Sequence, residues 1–254
     1  MTVSIIKNKT LRAVLIRLGV ILFWLILWEA AALLLDRSLL LPTPFETAKR
    51  LFALASTGVF WKATFTSLGR ILLGSMIGIL LGTIPAVLAA LVPPLGSLLS
   101  TPITVIRATP VASFILLVMF FAGTSSVPVI ISALMVIPIV WNNVRTGIEK
   151  TDRSLAEAAK MYRLSPMKRL RLLYVPAVLP YFTSAVVTAL GLSWKAGIAA
   201  EVICLPKDAI GRYLYQSKLY LETADLFAWT AVVILCSIGI EALLRAVLKK
   251  EGTK

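Results

Sequence analysis

Apolar positions in this chain come in long blocks, not in short alternating runs. Residues 13–35, 71–92 and 226–244 each approach the ~20 residues a helix needs to cross a bilayer. Strands of a membrane barrel would alternate apolar and polar side chains, and these blocks do not. Lipid offers no partner to an unpaired backbone group, so blocks of this kind form helices. The pattern predicts six spans, at about 13–35, 70–92, 104–122, 127–141, 173–200 and 226–247. The first, second and sixth are unbroken. The third carries Arg107 and Pro110 near its start, the fourth is short and holds Pro138, and the fifth is interrupted by Trp194 and Lys195. Broken spans survive where neighbouring helices or a water-filled path cover them. The third to fifth spans are therefore expected inside a bundle, with the first nearer the lipid.

The segments between the blocks have patterns of their own. In 36–69, Pro42 and Pro44 punctuate the chain, and Thr43 or Thr47 is placed to cap a helix. Ala48, Leu51, Phe52 and Leu54 then oppose Lys49 and Arg50, which predicts an amphipathic interfacial helix. The connection 201–225 is expected to be partly helical. In the second span Gly74, Gly78 and Gly82 fall four apart on one face, a pattern that lets another helix approach closely. The loop 142–172 is the most charged stretch. Asp152 or Ser154 can cap a helix there, and Glu157 sits near its positive N-terminal end. Leu155, Ala158, Ala159 and Tyr162 recur at helical spacing, and the helix should stop before Pro166. A second basic helical turn then leads into the fifth span. A flat, alanine-faced helix suits docking into a groove on another protein; the alternative is a solvated loop helix whose charges only set topology.

Composition agrees with the pattern. The chain has 254 residues, 59% hydrophobic and 15% charged, against about a quarter charged in soluble domains. A net charge of +14 raises the question of nucleic acid, but Lys and Arg flank the apolar blocks, as membrane orientation requires. Twice as many fall on one side of the predicted spans as on the other. That bias puts both termini and the 142–172 loop in the cytoplasm. The domains expected are a cytoplasmic segment 1–12, a first span 13–35, an external connection 36–69, a core 70–248 and a cytoplasmic tail 249–254. The first block is too long for a cleavable signal core and no small-residue cleavage site follows it. Cys204 and Cys236 fit no metal or disulfide framework and read as buried thiols. With no His, and with isolated intramembrane acids (Glu29, Glu241), an intramembrane enzyme is disfavoured.

The loop resembles the EAA loop of permease subunits of ABC importers. Glu157, Ala158 and Ala159 match its start and "VPAVLP", 175–180, approximates its end. Arg163 stands where the motif usually has Gly, a departure that bears on the turn after the helix. "LLPTPFET", "SLGRILLGSMIGILLG", "IRATPVASFILLVMFFAG" and "GIAAEVI" are similar to the nitrate/sulfonate/taurine branch, so the resemblance runs from about residue 39 to 245. It implies an all-α membrane protein with the six-helix fold of a type I ABC importer permease and a cytoplasmic coupling helix. It further implies an inner-membrane subunit that pairs as a homodimer, two cytoplasmic ABC ATPases and an external substrate-binding protein. The chain lacks a "GK" dipeptide and so a Walker A loop, which implies that ATP and Mg are handled by the partner. No cofactor and no enzymatic activity are expected in this chain.

On that resemblance the coupling element is Asp152, Arg153, Leu155, Glu157, Ala158, Ala159, Lys160, Tyr162 and Arg163. Candidates for a translocation path are the polar or amphipathic residues in or beside the broken spans: Arg107, Trp141, Asn142, Asn143, Trp194, Lys195 and Glu201. Arg107 and Lys195 would favour an anion such as a sulfonate, taurine or nitrate. Against this, Arg107 can snorkel to the interface, Lys195 can pair with Glu201, and Glu201 can contact a binding protein. An ATP-independent carrier or channel is the alternative function, although no inverted repeat is visible.

Overall fold

The computed structural model describes residues 2–35 and 40–251. Side chains before Leu15 and after Ala246, and those of Arg17, Arg153 and Lys160, lie outside the described residues. So do Arg37 and most of the terminal Lys and Arg behind the orientation argument. Among the described residues every regular element is helical: α1 (Thr2–Leu35), α2 (Pro44–Ala55), α3 (Gly58–Leu91), α4 (Pro93–Ala108), α5 (Val111–Phe121) and α6 (Val127–Glu149). Then come α7 (Arg153–Met161), α8 (Pro166–Arg169), a π-helical segment (Leu170–Tyr174), α9 (Val175–Cys204), α10 (Ile210–Leu219) and α11 (Thr223–Glu251). Five helices are long and apolar enough to cross a membrane, or six if α4 and α5 count as one bent span.

Two compact units are distinguished: Met1–Phe60 with Tyr213–Ala231, and Trp61–Arg212 with Val232–Lys254. In the first, Thr43 and Glu46 form a capping box that starts α2, each side chain accepting from the other's backbone N–H. Trp28 donates its indole N–H to the Pro42 carbonyl at 3.1 Å. Trp229 stacks between Phe60 and Tyr213, with centroids 5.2 and 5.1 Å away. Arg50 forms a bidentate pair with Asp225. That hydrogen-bonded carboxylate holds the guanidinium still more firmly protonated than usual. The side chains of α1 beyond Leu15 are mostly exposed, as a helix facing lipid requires.

The second unit is built on α6. Its apolar window is 67% buried, against 6% for α1. One core joins Ala86 and Ala89 of α3, Val136, Val140 and Trp141 of α6, and Ala185 and Ala189 of α9. Another joins Ile115 of α5, Ile131 and Met135 of α6, and Ala196 and Ala200 of α9. Small residues on α9 and α3 bring the backbones close. A Cβ at Gly78 would lie 2.7 Å from the Ala133 carbonyl, one at Gly82 would lie 2.8 Å from Val140 Cβ, and one at Gly74 would overlap the Val129 carbonyl.

Four expectations need correction. The third span is not one helix: α4 and α5 meet at 107° across Thr109–Pro110. Proline has no N–H to continue α4 and pushes the residue before it into extended geometry, as Thr109 is (ψ 131°). The helix of the second span reaches back to Gly58, because Ala63, Thr64, Ser67 and Ile71 already bury one helical face. The fourth extends to Glu149. The fifth is uninterrupted: Trp194 is buried and Lys195 exposed because adjacent helical positions point about 100° apart. Of the three spans expected inside the bundle, α6 is; α5 and α9 bury only part of their surfaces in this chain.

Candidate functional site

Two polar assemblies stand out in the second unit. The first is α7. Asp152 begins it: its Oδ1 accepts from the Ser154 N–H at 2.8 Å and the Ser154 hydroxyl at 2.7 Å, and its own carbonyl accepts from Ala156 N–H at 3.1 Å. The Ser154 hydroxyl and backbone hold the Asp152 carboxyl below its ordinary pKa. The helix closes in a six-to-one bond from Leu164 N–H to the Ala159 carbonyl, 3.0 Å, with Arg163 in the left-handed region at φ 52°. That is the turn glycine makes most readily. An Arg there is strained by about 1 kcal/mol.

The residues of α7 differ in exposure. Ala159 is 7% exposed and Ala156 and Ala158 are half-buried. Leu155 is 56% exposed, Met161 84% and Tyr162 82%. Glu157 is exposed. Ala159 is covered although it lies only about 60° around the helix from Tyr162, the face on which the periodicity groups them. Met161 is an outer residue that the periodicity passed over.

The second assembly centres on Glu201, which is fully buried in the last turn of α9. Its Oε2 accepts from the Ser67 hydroxyl at 2.7 Å and from Gly211 N–H at 3.2 Å. Ser67 Oγ in turn accepts from Ile210 N–H at 3.0 Å. Oε1 has no hydrogen bond and faces the Arg70 guanidinium at 4.0 Å. Arg70 donates both Nη atoms to the Lys207 carbonyl, at 3.2 and 3.1 Å. One carboxylate thus ties α3, the end of α9, the 205–209 connection and the start of α10. Leu205 and Asp208 of that connection hold left-handed φ values of 50° and 51°. Lys62 pairs with Asp208 at 2.8 Å and keeps that carboxyl below its usual range. Gly211 has no room for a side chain, since a Cβ would overlap Glu201 Cβ.

The expected pairing of Lys195 with Glu201 is corrected: Arg70, one α3 turn from Ser67, takes that place, and Lys195 is exposed. Ser67, Arg70, Ile210 and Gly211 escaped the sequence reading, because Ser67 and Glu201 are 134 positions apart. Trp141 and Trp194 are 2% and 1% exposed. Trp141 lies in the alanine–valine core under Arg145, and Trp194 donates its indole N–H to the Val233 carbonyl at 3.0 Å. Asn143 bonds back to the Ile139 carbonyl, and Asn142 is exposed. Arg107 is exposed in the last turn of α4, before the bend. Cys204 and Cys236 are free; Cys204 is buried and Cys236 half-buried. No cluster of metal-ligating side chains occurs among the described residues.

The family described as binding-protein-dependent transport system inner membrane component matches residues 74–250. The putative aliphatic sulfonates transport permease protein SsuC of Escherichia coli is 31% identical over 185 residues, 72% of this chain and 70% of that protein. The bicarbonate transport system permease protein CmpB of Synechococcus elongatus is 29% identical over 98 residues, 39% of this chain. The match spans 34% of that bicarbonate permease's length. Among solved structures, an amino acid ABC transporter with histidines superimposes with a TM-score of 0.66 at 21% identity, over 79% of this chain and 97% of that one. An inward-facing MetNI methionine ABC transporter does so with 0.63 at 14% identity, over 76% and 95%. These two share the fold.

Proposed function

Because the chain belongs to the family of binding-protein-dependent transport system inner membrane components, we propose that it is the permease subunit of an ATP-driven importer, coupled to a separate ATPase through α7. The observation that carries this reading is the outer side of α7. Leu155, Met161 and Tyr162 stand exposed on a capped helix outside the apolar blocks. Large side chains left open among covered alanines suit a groove on another chain.

In this mechanism ATP binding draws two ATPases together and α7 moves with them. The α6–α9 core carries the motion because packed helices shift as units rather than deform. The cavity between two permease copies then opens outward, and hydrolysis resets it. ATP and Mg belong to the partner. An external binding protein delivers the substrate, a small anion such as a sulfonate, taurine, nitrate or bicarbonate. The likeness to the sulfonate and bicarbonate permeases supports that class, and Arg107 and Lys195 are the exposed cations that would meet it. Both termini and α7 lie on the cytoplasmic side. An ATP-independent carrier has no use for an open docking helix, and the family match favours the importer.

Glu157→Lys tests the coupling. Uptake by cells carrying the variant should fall to background while the purified chain keeps its unfolding temperature. Normal uptake with the ATPase still co-purifying would remove α7 from the role.

A further inference from the structure

The sides of α4 differ in chemistry. Leu99 and Ile103 pack against the core of Ala86, Val140, Trp141 and Ala185. Gly96 sits close to α3, where a Cβ would lie 3.3 Å from the Ala89 carbonyl. Leu98 and Val105 are apolar and exposed. Between these two sides run Ser97, Ser100, Thr101, Thr104 and Arg107, within about 120° of arc on the helix. Ser100 is half-buried and the other four are exposed.

Hydrocarbon does not suit this stripe. The Ser100 and Thr104 hydroxyls donate to the Ser97 and Ser100 carbonyls, both at 2.8 Å, and so are satisfied within the helix. The side chains of Ser97, Thr101 and Arg107 have no partner among the described residues. At the bend that follows Arg107, no side chain caps the N–H groups that open α5. α4 and α5 together are apolar enough for one bent span. Within a span, free charge and free backbone groups persist only where protein or water covers them. This chain leaves them open: Arg107, Ala108, Pro110 and Ala112 are all exposed.

The foot of the stripe opens on a cavity of about 390 Å³ between the end of α3, the start of α4 and the end of α6. Ser97, Ser100, Arg145 and Glu149 belong to its lining. Arg145 donates one Nη to Glu149 at 3.2 Å and lies over the Trp141 ring. Its other N–H groups have no acceptor among the described residues. A guanidinium therefore stands at each end of a run of hydroxyls. Such donors complement an oxoanion, and the acid in the lining, Glu149, already faces Arg145.

We propose that this side of α4 is a wall of the solute path, along which water and a small oxoanion pass between Arg107 and the Arg145 cavity. This rests on the importer reading above and adds to it Ser97, Thr101, Thr104 and Arg145 as residues the substrate meets.

Thiol labelling of the full chain in reconstituted lipid vesicles tests the assignment, with the parent chain as baseline for Cys204 and Cys236. The probes are 2-sulfonatoethyl methanethiosulfonate, an anion, and its trimethylammonium counterpart, a cation. Ser97→Cys, Thr101→Cys and Thr104→Cys should react about tenfold faster than Leu98→Cys and Val105→Cys. At Thr104→Cys the anionic reagent, scaled to its rate on a free thiol, should lead the cationic one by about fivefold. Arg107→Gln in the same chain should bring that ratio near one. A maleimide on a long polyethylene glycol, too wide for a path, should leave positions 101 and 104 unmodified. Ala108→Cys, in the same stripe, serves should Thr104→Cys fail to fold. Equal rates on the two sides of α4 would overturn the proposal. So would modification by the wide reagent, which puts the stripe on an open surface, or disulfides between copies at unreactive stripe positions, which make it a subunit contact. No ATPase is present in these vesicles, so each outcome is independent of the role of α7.

Discussion

Glu157 and Glu201 are the same residue type in helices of one unit, and they are treated in opposite ways. Glu201 is fully buried, and its contacts are all supplied by the chain: Ser67, Gly211 and the facing Arg70. Glu157 is exposed, on a helix whose large apolar residues are open as well. A carboxylate held on several elements by donors fixes geometry. One left among uncovered Leu155, Met161 and Tyr162 belongs to a surface whose complement is another molecule. Burial with donors and a facing cation from several elements, and not residue type, separates a structural acid from one kept for a partner.

The largest effect should come from breaking the buried member. Glu201→Ala leaves the Ser67 hydroxyl and the Gly211 N–H without their acceptor and the Arg70 guanidinium without its facing carboxylate, and should cost about 3 kcal/mol of stability. Thermal unfolding in detergent measures it. Glu201→Gln keeps an acceptor and should lose less. If Glu201→Ala unfolds like the wild type, the node is not structural and the contrast fails.

A smaller effect of opposite sign is expected at the end of α7. Arg163→Gly replaces a strained left-handed residue with one that adopts φ 52° freely, and should stabilise that turn by about 1 kcal/mol. Slower amide exchange over 159–164 is the readout. Faster exchange would mean that Arg163 supports the turn through its side chain.

Acid should act most gently. The folded-state pKa of Asp152 is depressed, so its contribution is complete above the unfolded value of about 3.9 and is lost as pH falls through the lower folded value. Exchange at the start of α7, taken relative to the intrinsic rate of an unstructured amide at each pH, should therefore be flat from neutral pH to about 4 and rise below it. Asp152→Asn should remove that dependence. Persistence of the rise in the variant would point to another carboxylate.

Much of this was legible in the residues. Long apolar blocks can only be helices in lipid, and Thr43, Asp152 and Pro166 punctuate their helices by local chemistry that needs no partner. Arg163 shows the limit of reading by residue type. It stands where glycine is usual in the loop it resembles, yet the six-to-one closure on Ala159 draws it into the same left-handed turn. The Glu201 node was illegible for another reason. Its partners lie on α3 and α10, brought near only by the packed fold, so a search for neighbours along the sequence reached Lys195 instead. Trp141 and Trp194 misled because an indole suits a wet path and a packed core equally well until its surroundings are known. The break at Thr109–Pro110 was signalled by Pro110, but its angle depends on tertiary packing.

The central claim is that the outer side of α7 is a seat for the ATPase. Tyr162→Cys in the assembled transporter, exposed to a short thiol cross-linker with cysteines placed around the ATPase surface, tests it most directly. A cross-link is expected from position 162 to one cluster of ATPase positions, changed in yield by ATP, and none from a cysteine at position 159. A Tyr162→Cys that labels with water-soluble reagent equally well with and without the ATPase, and cross-links to nothing, would contradict it.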